Sequence, residues 1–171
     1  MRARTPPTCV RPAVLPIRPP VLSSARTRAR IPGARVVACV TDGSPDMDEP
    51  AFQDFYPDDV AQCYGCGRLN PDGLHIRSRW VGEESVAHFT PRPYHIAIVG
   101  YVYGGLIASL IDCHGTGTAA AAAYRAEGRP MGSDPALRYV TASLHVDYLR
   151  PTPLGVELEV RGRVTEIKGR K

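Results

Sequence analysis

The sequence predicts an α+β domain in which an antiparallel sheet packs against one long helix. Three observations predict this class. Four segments alternate between apolar and polar residues, as strands do. One run of about twenty residues has helical periodicity and carries a single carboxylate. The order strand, strand, helix, strand, strand lacks the βαβ alternation of a parallel sheet.

Composition favours one domain without a membrane or nucleic-acid partner. The chain has 171 residues, 43% of them hydrophobic, which is enough for one core. No stretch reaches the ~18 consecutive apolar residues of a membrane span. One Trp and an aromatic content of 7% offer little stacking surface for nucleic acid. Five cysteines, an odd number without a secretory signal peptide, favour the reducing cytoplasm.

Residues 1–46 are predicted to be a disordered tail that precedes the domain at 47–171. The first 41 residues hold eight Arg, seven Pro and no acidic residue. Of the 21 basic residues, 13 therefore remain against 17 acidic ones, so the rest of the chain has a net charge of −4. Three interpretations stay open: a transit peptide, a nucleic-acid-binding arm, or sequence upstream of a true start at Met47.

The strands are predicted from alternation, and the segment before them from its turn residues. CYGCGRLNPDGL at 63–74 is rich in Gly and Asn-Pro turn signals. The third strand segment places Ala142, Leu144, Val146 and Tyr148 on one face, and its other face is predicted to hold Thr141, Ser143, His145 and Asp147. The strand segments are 74–81, 84–91, 136–153 and 156–168, with a hairpin turn at 81–84.

The predicted helix, at about 104–123, has two distinct faces. Its apolar arc faces the sheet and contains Leu106, Ile107, Leu110, Ile111 and Cys113. Its other face is a small and polar stripe, made of Gly105, Ser109, Asp112 and Thr116. The stripe could face solvent, pack on another helix or subunit, or form a functional site. A helix of this length without Lys or Glu is not suited to water, and a buried Asp is costly unless it is paired or functional.

The two glycines and the aspartate suggest acyl-transfer chemistry. A helix N-terminus offers unpaired backbone N–H groups, so Gly104 and Gly105 could polarise a carbonyl oxygen. Asp112 could activate water; Ser109 and Thr116, which flank it, could hold its carboxylate or the water, and Ser143 on the neighbouring strand could also line the cleft. Gly105 and Asp112 lie about 10 Å apart along one helix, too far to flank one reacting carbon. We therefore expect two helices of a dimer to combine them.

These segments resemble the PaaI-type thioesterases of the hotdog-fold superfamily. The resemblance rests on YGGLIASLID at 103–112, TASLHVDYLRPTP at 141–153 and the C-x-x-C-G-x-x-N-P-x-G-L pattern at 63–74. It implies a sheet wrapped around the helix, acyl-CoA bound between the subunits of a homodimer or homotetramer, and no cofactor. It also implies that the Gly105 amide stabilises the oxyanion, and that Asp112 of the other subunit is the base or nucleophile.

Two departures from the family pattern stand out. Tyr103 occupies the position of the usual His; it can donate a hydrogen bond near the thioester but is a poor proton carrier at neutral pH. Family members continue beyond the fourth strand, so we expect about two strands to be missing and a sheet edge to be exposed.

The remaining Cys and His residues are predicted to be structural. Cys63 and Cys66 form half of a zinc site, which would need His75, Cys113 or His114 to converge on it, so no metal is expected. His114 is expected to be buried rather than catalytic. The sequence thus predicts an acyl-CoA thioesterase. Its alternatives are a non-catalytic acyl-CoA-binding hotdog protein, a nucleic-acid interaction module and a fragment that does not fold alone.

Overall fold

The computed structural model describes residues 8–16, 33–41 and 49–168, which form a six-stranded antiparallel sheet against one long helix. The elements in chain order are β1 Thr8–Pro16, β2 Gly33–Thr41, β3 Ser78–Val81, β4 Glu84–Phe89, α1 Gly104–Ala126, β5 Tyr139–Val146 and β6 Leu158–Lys168. This confirms the predicted α+β class. Within the described ranges, no helix combines the length and hydropathy of a membrane span.

Helix α1 is buried on most of its circumference. All five residues of the predicted apolar arc are buried, and so is the alanine run Ala119–Ala123. Between Gly104 and Tyr124, six residues of the helix are half-buried and the others are buried. Four of the six are the members of the predicted stripe: Gly105, Ser109, Asp112 and Thr116. A helix that is apolar nearly all round belongs in a core. The stripe is therefore a narrow, partly exposed row of residues on a helix whose other residues are mostly buried.

The predicted strands form the sheet with shorter bounds. The first begins at Ser78 rather than 74, because residues 74–77 are irregular and His75 has a φ of 53°, which a strand does not accommodate. The hairpin turn at 82–83 joins β3 to β4, with Val81 opposite Glu84. Strand β6 pairs with β4, so β3, β4 and β6 lie side by side beneath the helix. Val86, Ala87 and Val160 are buried there.

Two segments of the tail that we predicted to be disordered are strands in the structure, namely β1 and β2. The backbone of β1 and β2 fills the space between β5 and β6, in the strand order β3-β4-β6-β2-β1-β5. The far side of β6, which we expected to be an exposed edge, pairs with β2 from Gly33 to Thr41. An unpaired strand edge is a template for further pairing, and GARVVACVT is a short, continuous apolar run of the kind that forms strands inside a sheet. The rest of the tail, Met47 included, lies outside the described residues.

Strand β5 contains a β-bulge that changes which residues face the helix. Along β1, the neighbours Ala13 and Val14 pair with Ser143 and Thr141, so β5 has one extra residue, Ala142. Thr141 therefore shares the helix side with Leu144, which packs on the core. The predicted assignment of Thr141 to the opposite face was wrong, because strict alternation assumes a strand without a bulge.

Candidate active site

The start of α1 is a glycine pair that lies between two tyrosine rings. No side chain caps this helix, so the first backbone N–H groups are not satisfied by a capping residue. The Tyr148 hydroxyl donates to the Gly104 carbonyl oxygen at 2.9 Å. A Cβ atom on Gly105 would overlap the Tyr103 ring. A Cβ atom on Gly104 would make ordinary contact with the Tyr148 ring at 3.4 Å, so Gly105 is the glycine that allows a ring this close, and Tyr103 lies beside the amide that we expect to bind an oxyanion.

Several apolar side chains are exposed in the segment that leads into α1, and so is Leu149, which follows Tyr148. Val99 is 90% exposed, Ile98 69%, and Tyr103 and Leu149 are each more than half exposed. An isolated exposed apolar residue is ordinary, but a contiguous group of them is typical of an interaction surface.

The Asp112 carboxylate is held from β5. Thr141 Oγ1 donates a hydrogen bond to Asp112 Oδ1. Among the described residues, no other side chain hydrogen-bonds this carboxylate, so its second oxygen is available to water or a ligand. Ser109 and Thr116, which we expected to hold the carboxylate, donate instead to backbone carbonyls four residues earlier in the helix, at 2.9 and 2.5 Å. The bulge in β5 therefore supplies the contact that the sequence assigned to the helix.

A cleft of about 830 Å³ opens beside Asp112, within the size range of small-molecule sites. Its walls come from α1, β5, the loop after α1 and the segments 54–60 and 63–66. Asp112 and Thr116 line it as predicted, and Thr141 joins them. Ser109 and Ser143 do not line it: Ser109 lies three residues before Asp112 in α1, and Ser143 is exposed on the other side of β5. Gly105 lies outside the cleft, consistent with its separation of seven residues from Asp112 along the helix.

Three cysteines meet on one wall of this cleft. The sulfur atoms of Cys63, Cys66 and Cys113 all lie within 4.8 Å of one another, and all three are free thiols. Hydrogen bonds from the thiols of Cys113 and Cys66, together with backbone N–H groups of Cys66 and Gly65, lower the pKa of Cys63. The same contact with Cys63 raises the pKa of Cys113. Of the three thiols, Cys63 therefore has the lowest pKa.

His114 is fully buried on the opposite side of α1, as expected. Its Nδ1 and Nε2 atoms lie 2.9 Å from the hydroxyls of Ser78 and Ser85 respectively. Ser85 also bonds Thr118 Oγ1 at 2.5 Å. Burial lowers the pKa of His114 to about 4, although a hydrogen bond with the Ser85 backbone opposes this. The neutral imidazole therefore links the helix to β3 and β4 and does not reach the cleft.

Comparisons with known proteins agree with this architecture. Residues 99–171 match the family model of the thioesterase superfamily. Over 86 residues the chain is 37% identical to acyl-coenzyme A thioesterase THEM4 of Xenopus laevis, covering 50% of this chain and 33% of the relative. The chain thus spans about a third of the length of that relative.

The chain is also similar to a protein of solved structure. The thioesterase superfamily protein of Shewanella loihica PV-4 is 44% identical, covering 56% of this chain and 90% of that one, with a TM-score of 0.43. The family match begins just before α1 and includes the helix that carries Gly105 and Asp112. The chain belongs to the thioesterase superfamily, the proteins of the hotdog fold.

Proposed function

We propose that this protein is an acyl-CoA thioesterase that hydrolyses a thioester to a carboxylic acid and free CoA. One observation carries the proposal: a half-buried carboxylate, Asp112, is held by Thr141 at the wall of a ligand-sized cleft in a thioesterase-family chain. The name of the Xenopus laevis relative, acyl-coenzyme A thioesterase, supports acyl-CoA as the substrate. Three free thiols support the cytoplasm as the compartment.

In the proposed mechanism, Asp112 acts as a general base. Its free oxygen accepts a proton from water, while the water oxygen attacks the thioester carbonyl carbon. The carbonyl oxygen becomes an oxyanion, and the backbone N–H of Gly105 donates a hydrogen bond to it. The C–S bond then breaks and the CoA thiolate leaves. A positioned base contributes about 10²–10⁴ in rate, and an oxyanion donor about 2.7–4 kcal/mol.

This mechanism needs two copies of the chain. Seven residues of helix separate Gly105 from Asp112 by about 10 Å, so one subunit cannot place both on the same carbon. The half-buried stripe of α1 and the exposed apolar residues beside the glycines are surfaces that a second copy could cover. A symmetric homodimer, alone or within a homotetramer, would pair Asp112 of one subunit with Gly105 of the other and form two equal sites.

The first test is CoA release from short, long and aromatic acyl-CoAs, with the full chain. Asp112→Asn should reduce turnover by about 10²–10⁴ and leave substrate binding in place. Asp147→Asn is the matched control, because this carboxylate is 61% exposed and pairs with His145. Turnover that is unchanged in Asp112→Asn, or absent from a folded wild type that still binds acyl-CoA, would favour the non-catalytic acyl-CoA-binding alternative.

The two-subunit arrangement has its own test. Gly105→Pro removes the proposed oxyanion donor in the first turn of α1, and Gly105→Ala, which places a Cβ atom against the same exposed Tyr103 ring but keeps the N–H, is its control. Gly105→Pro and Asp112→Asn should each be inactive alone. After refolding of an equal mixture of these two variants, mixed dimers would contain one intact site, so about a quarter of the wild-type activity should return. Failure of the mixture to regain activity, with mixed dimers demonstrated by mass spectrometry, would refute the shared site.

A further inference from the structure

The cysteine trio is a group that thioester hydrolysis does not use. Two of its members come from the loop before β3, and the third, Cys113, comes from the middle of α1, 47 positions after Cys66 in the sequence. Cys66 and Cys113 are buried, whereas Cys63 is exposed. The three sulfurs therefore join two separate parts of the fold at the wall of the cleft.

The spacing of the sulfurs fits a shared metal ion. Cys63 Sγ and Cys113 Sγ lie 3.7 Å apart. Disulfide sulfurs are about 2.05 Å apart. A tetrahedral zinc ion with Zn–S bonds of about 2.3 Å holds its sulfurs about 3.8 Å apart. The third sulfur is within 4.8 Å of both, so small side-chain movements would place all three on one ion.

The loop that carries Cys63 and Cys66 is built around this contact. A Cβ atom on Gly65 would overlap the Cys113 sulfur, so only glycine lets α1 come this close to the loop. A Cβ on Gly67 would lie 2.5 Å from three backbone atoms of Ala61 and Cys63. The Gly67 N–H donates to the Cys63 carbonyl at 2.8 Å and closes the turn. The loop is thus fixed in the conformation that presents both thiols to Cys113.

We propose that Cys63, Cys66 and Cys113 bind one zinc ion through three thiolates. Thiolate ligands select soft ions such as zinc. An iron–sulfur cluster is usually held by four cysteines, whereas the described side chains bring together three, so a single zinc ion fits the site better. Three protein ligands leave one coordination position for water. That position opens on the cleft, because all three cysteines line it together with Asp112. The ion would tie the loop to α1 one residue from Asp112.

The proposal does not depend on thioester hydrolysis. The sequence alone offered a C-x-x-C pair, which is half of a zinc site, and the fold supplies the third thiol. Zinc binding displaces thiol protons, so it should be tighter at higher pH and should raise the stability of the folded chain.

The test uses the full chain, reduced and stripped of metal, and titrates it with Co²⁺ and then Zn²⁺. We expect sulfur-to-cobalt charge-transfer absorption that Zn²⁺ abolishes, one ion per chain after equilibrium dialysis, and a higher midpoint of thermal unfolding with Zn²⁺. Cys63→Ser should weaken Zn²⁺ binding by at least about tenfold. Because Cys63 is exposed, this variant should fold even if a substitution of the buried Cys113 does not.

The matched control is the double variant Cys9→Ser/Cys39→Ser, which keeps the trio and should bind Zn²⁺ like the wild type. The proposal is overturned if the wild type binds no Zn²⁺, if Cys63→Ser binds it equally well, or if the double variant loses it. It is also overturned if mass spectrometry of the unreduced protein finds a disulfide between Cys63 and Cys113.

Discussion

Acidification should destabilise this protein through His114, before most carboxylates titrate. The pKa of His114 is about 4 in the folded chain and about 6.5 in the unfolded chain. Between these values the unfolded chain binds a proton that the folded chain does not. The contribution of His114 is therefore fully present above pH 6.5 and is lost as the pH falls from 6.5 to 4. Below pH 4 both states are protonated and the loss stops.

The size of the effect follows from the gap between the two pKa values. That gap corresponds to about 3 kcal/mol, at a conversion of about 1.36 kcal/mol per pH unit. Small domains unfold with a total of about 5–15 kcal/mol, so the loss is a large fraction of their stability. The lowered pKa of Asp54 acts at lower pH, near and below its usual value of 3.8, whereas His95, half-buried and with a pKa lowered by burial and by Arg92, adds to the loss in the same pH window as His114.

The assay is urea unfolding at half-unit steps from pH 7.5 to 4, for the wild type and His114→Gln. The variant should be less stable at pH 7.5, because the bonds to Ser78 and Ser85 are altered, but its free energy of unfolding should fall less between pH 6.5 and 4. His145→Gln, at a side chain 75% exposed, should keep the wild-type slope. Equal slopes in wild type and His114→Gln would refute the assignment of this pH dependence to His114.

Three further predictions test the site and the sheet. Thr141→Val removes the hydrogen bond to Asp112 and should lower kcat by about ten- to a hundredfold with little change in KM; wild-type turnover would contradict its positioning role. Gly65→Ala forces the loop away from Cys113 and should lower the free energy of unfolding by about 1–3 kcal/mol, measured in urea. Deletion of residues 1–46 would expose the edges of β5 and β6, so the shortened chain should unfold at a lower temperature and aggregate; equal Tm values would show that β1 and β2 add nothing.

The sequence predicted the parts of the fold that depend on local pattern. The helix could be predicted from a long, largely apolar run that carries one carboxylate, and the half-buried stripe of Asp112 and Thr116 follows from their spacing of four residues. The β5 strand was predicted as well, but not its bulge at Ala142, because strict alternation carries no sign of one extra residue. Thr141 was therefore assigned to the wrong face, and the donor to Asp112 was missed.

Contacts between distant segments were beyond reach of the sequence. Seven prolines argued against order in the first 41 residues, yet β1 accommodates Pro12. Its pairing with β2 is interrupted at Arg11 and Pro12, where proline lacks an N–H, and continues on either side. Likewise nothing in the spacing of Cys63 and Cys66 indicates which third thiol approaches them. Contacts of this kind, between segments far apart in the sequence, are determined by tertiary packing.

One stretch of α1 explains why the helix carries polar residues in its most buried part. Asp112, Cys113 and His114 are consecutive, so their side chains leave the helix about 100° apart. Asp112 reaches Thr141 of β5, Cys113 reaches the 63–66 loop, and His114 reaches β3 and β4. Asp112 and His114 would be costly to bury without a partner, and each has one on a different element, while Cys113 adds a third contact to the loop. The rotation of the helix is thereby fixed from three directions, and that fixes where the Asp112 carboxylate meets the cleft.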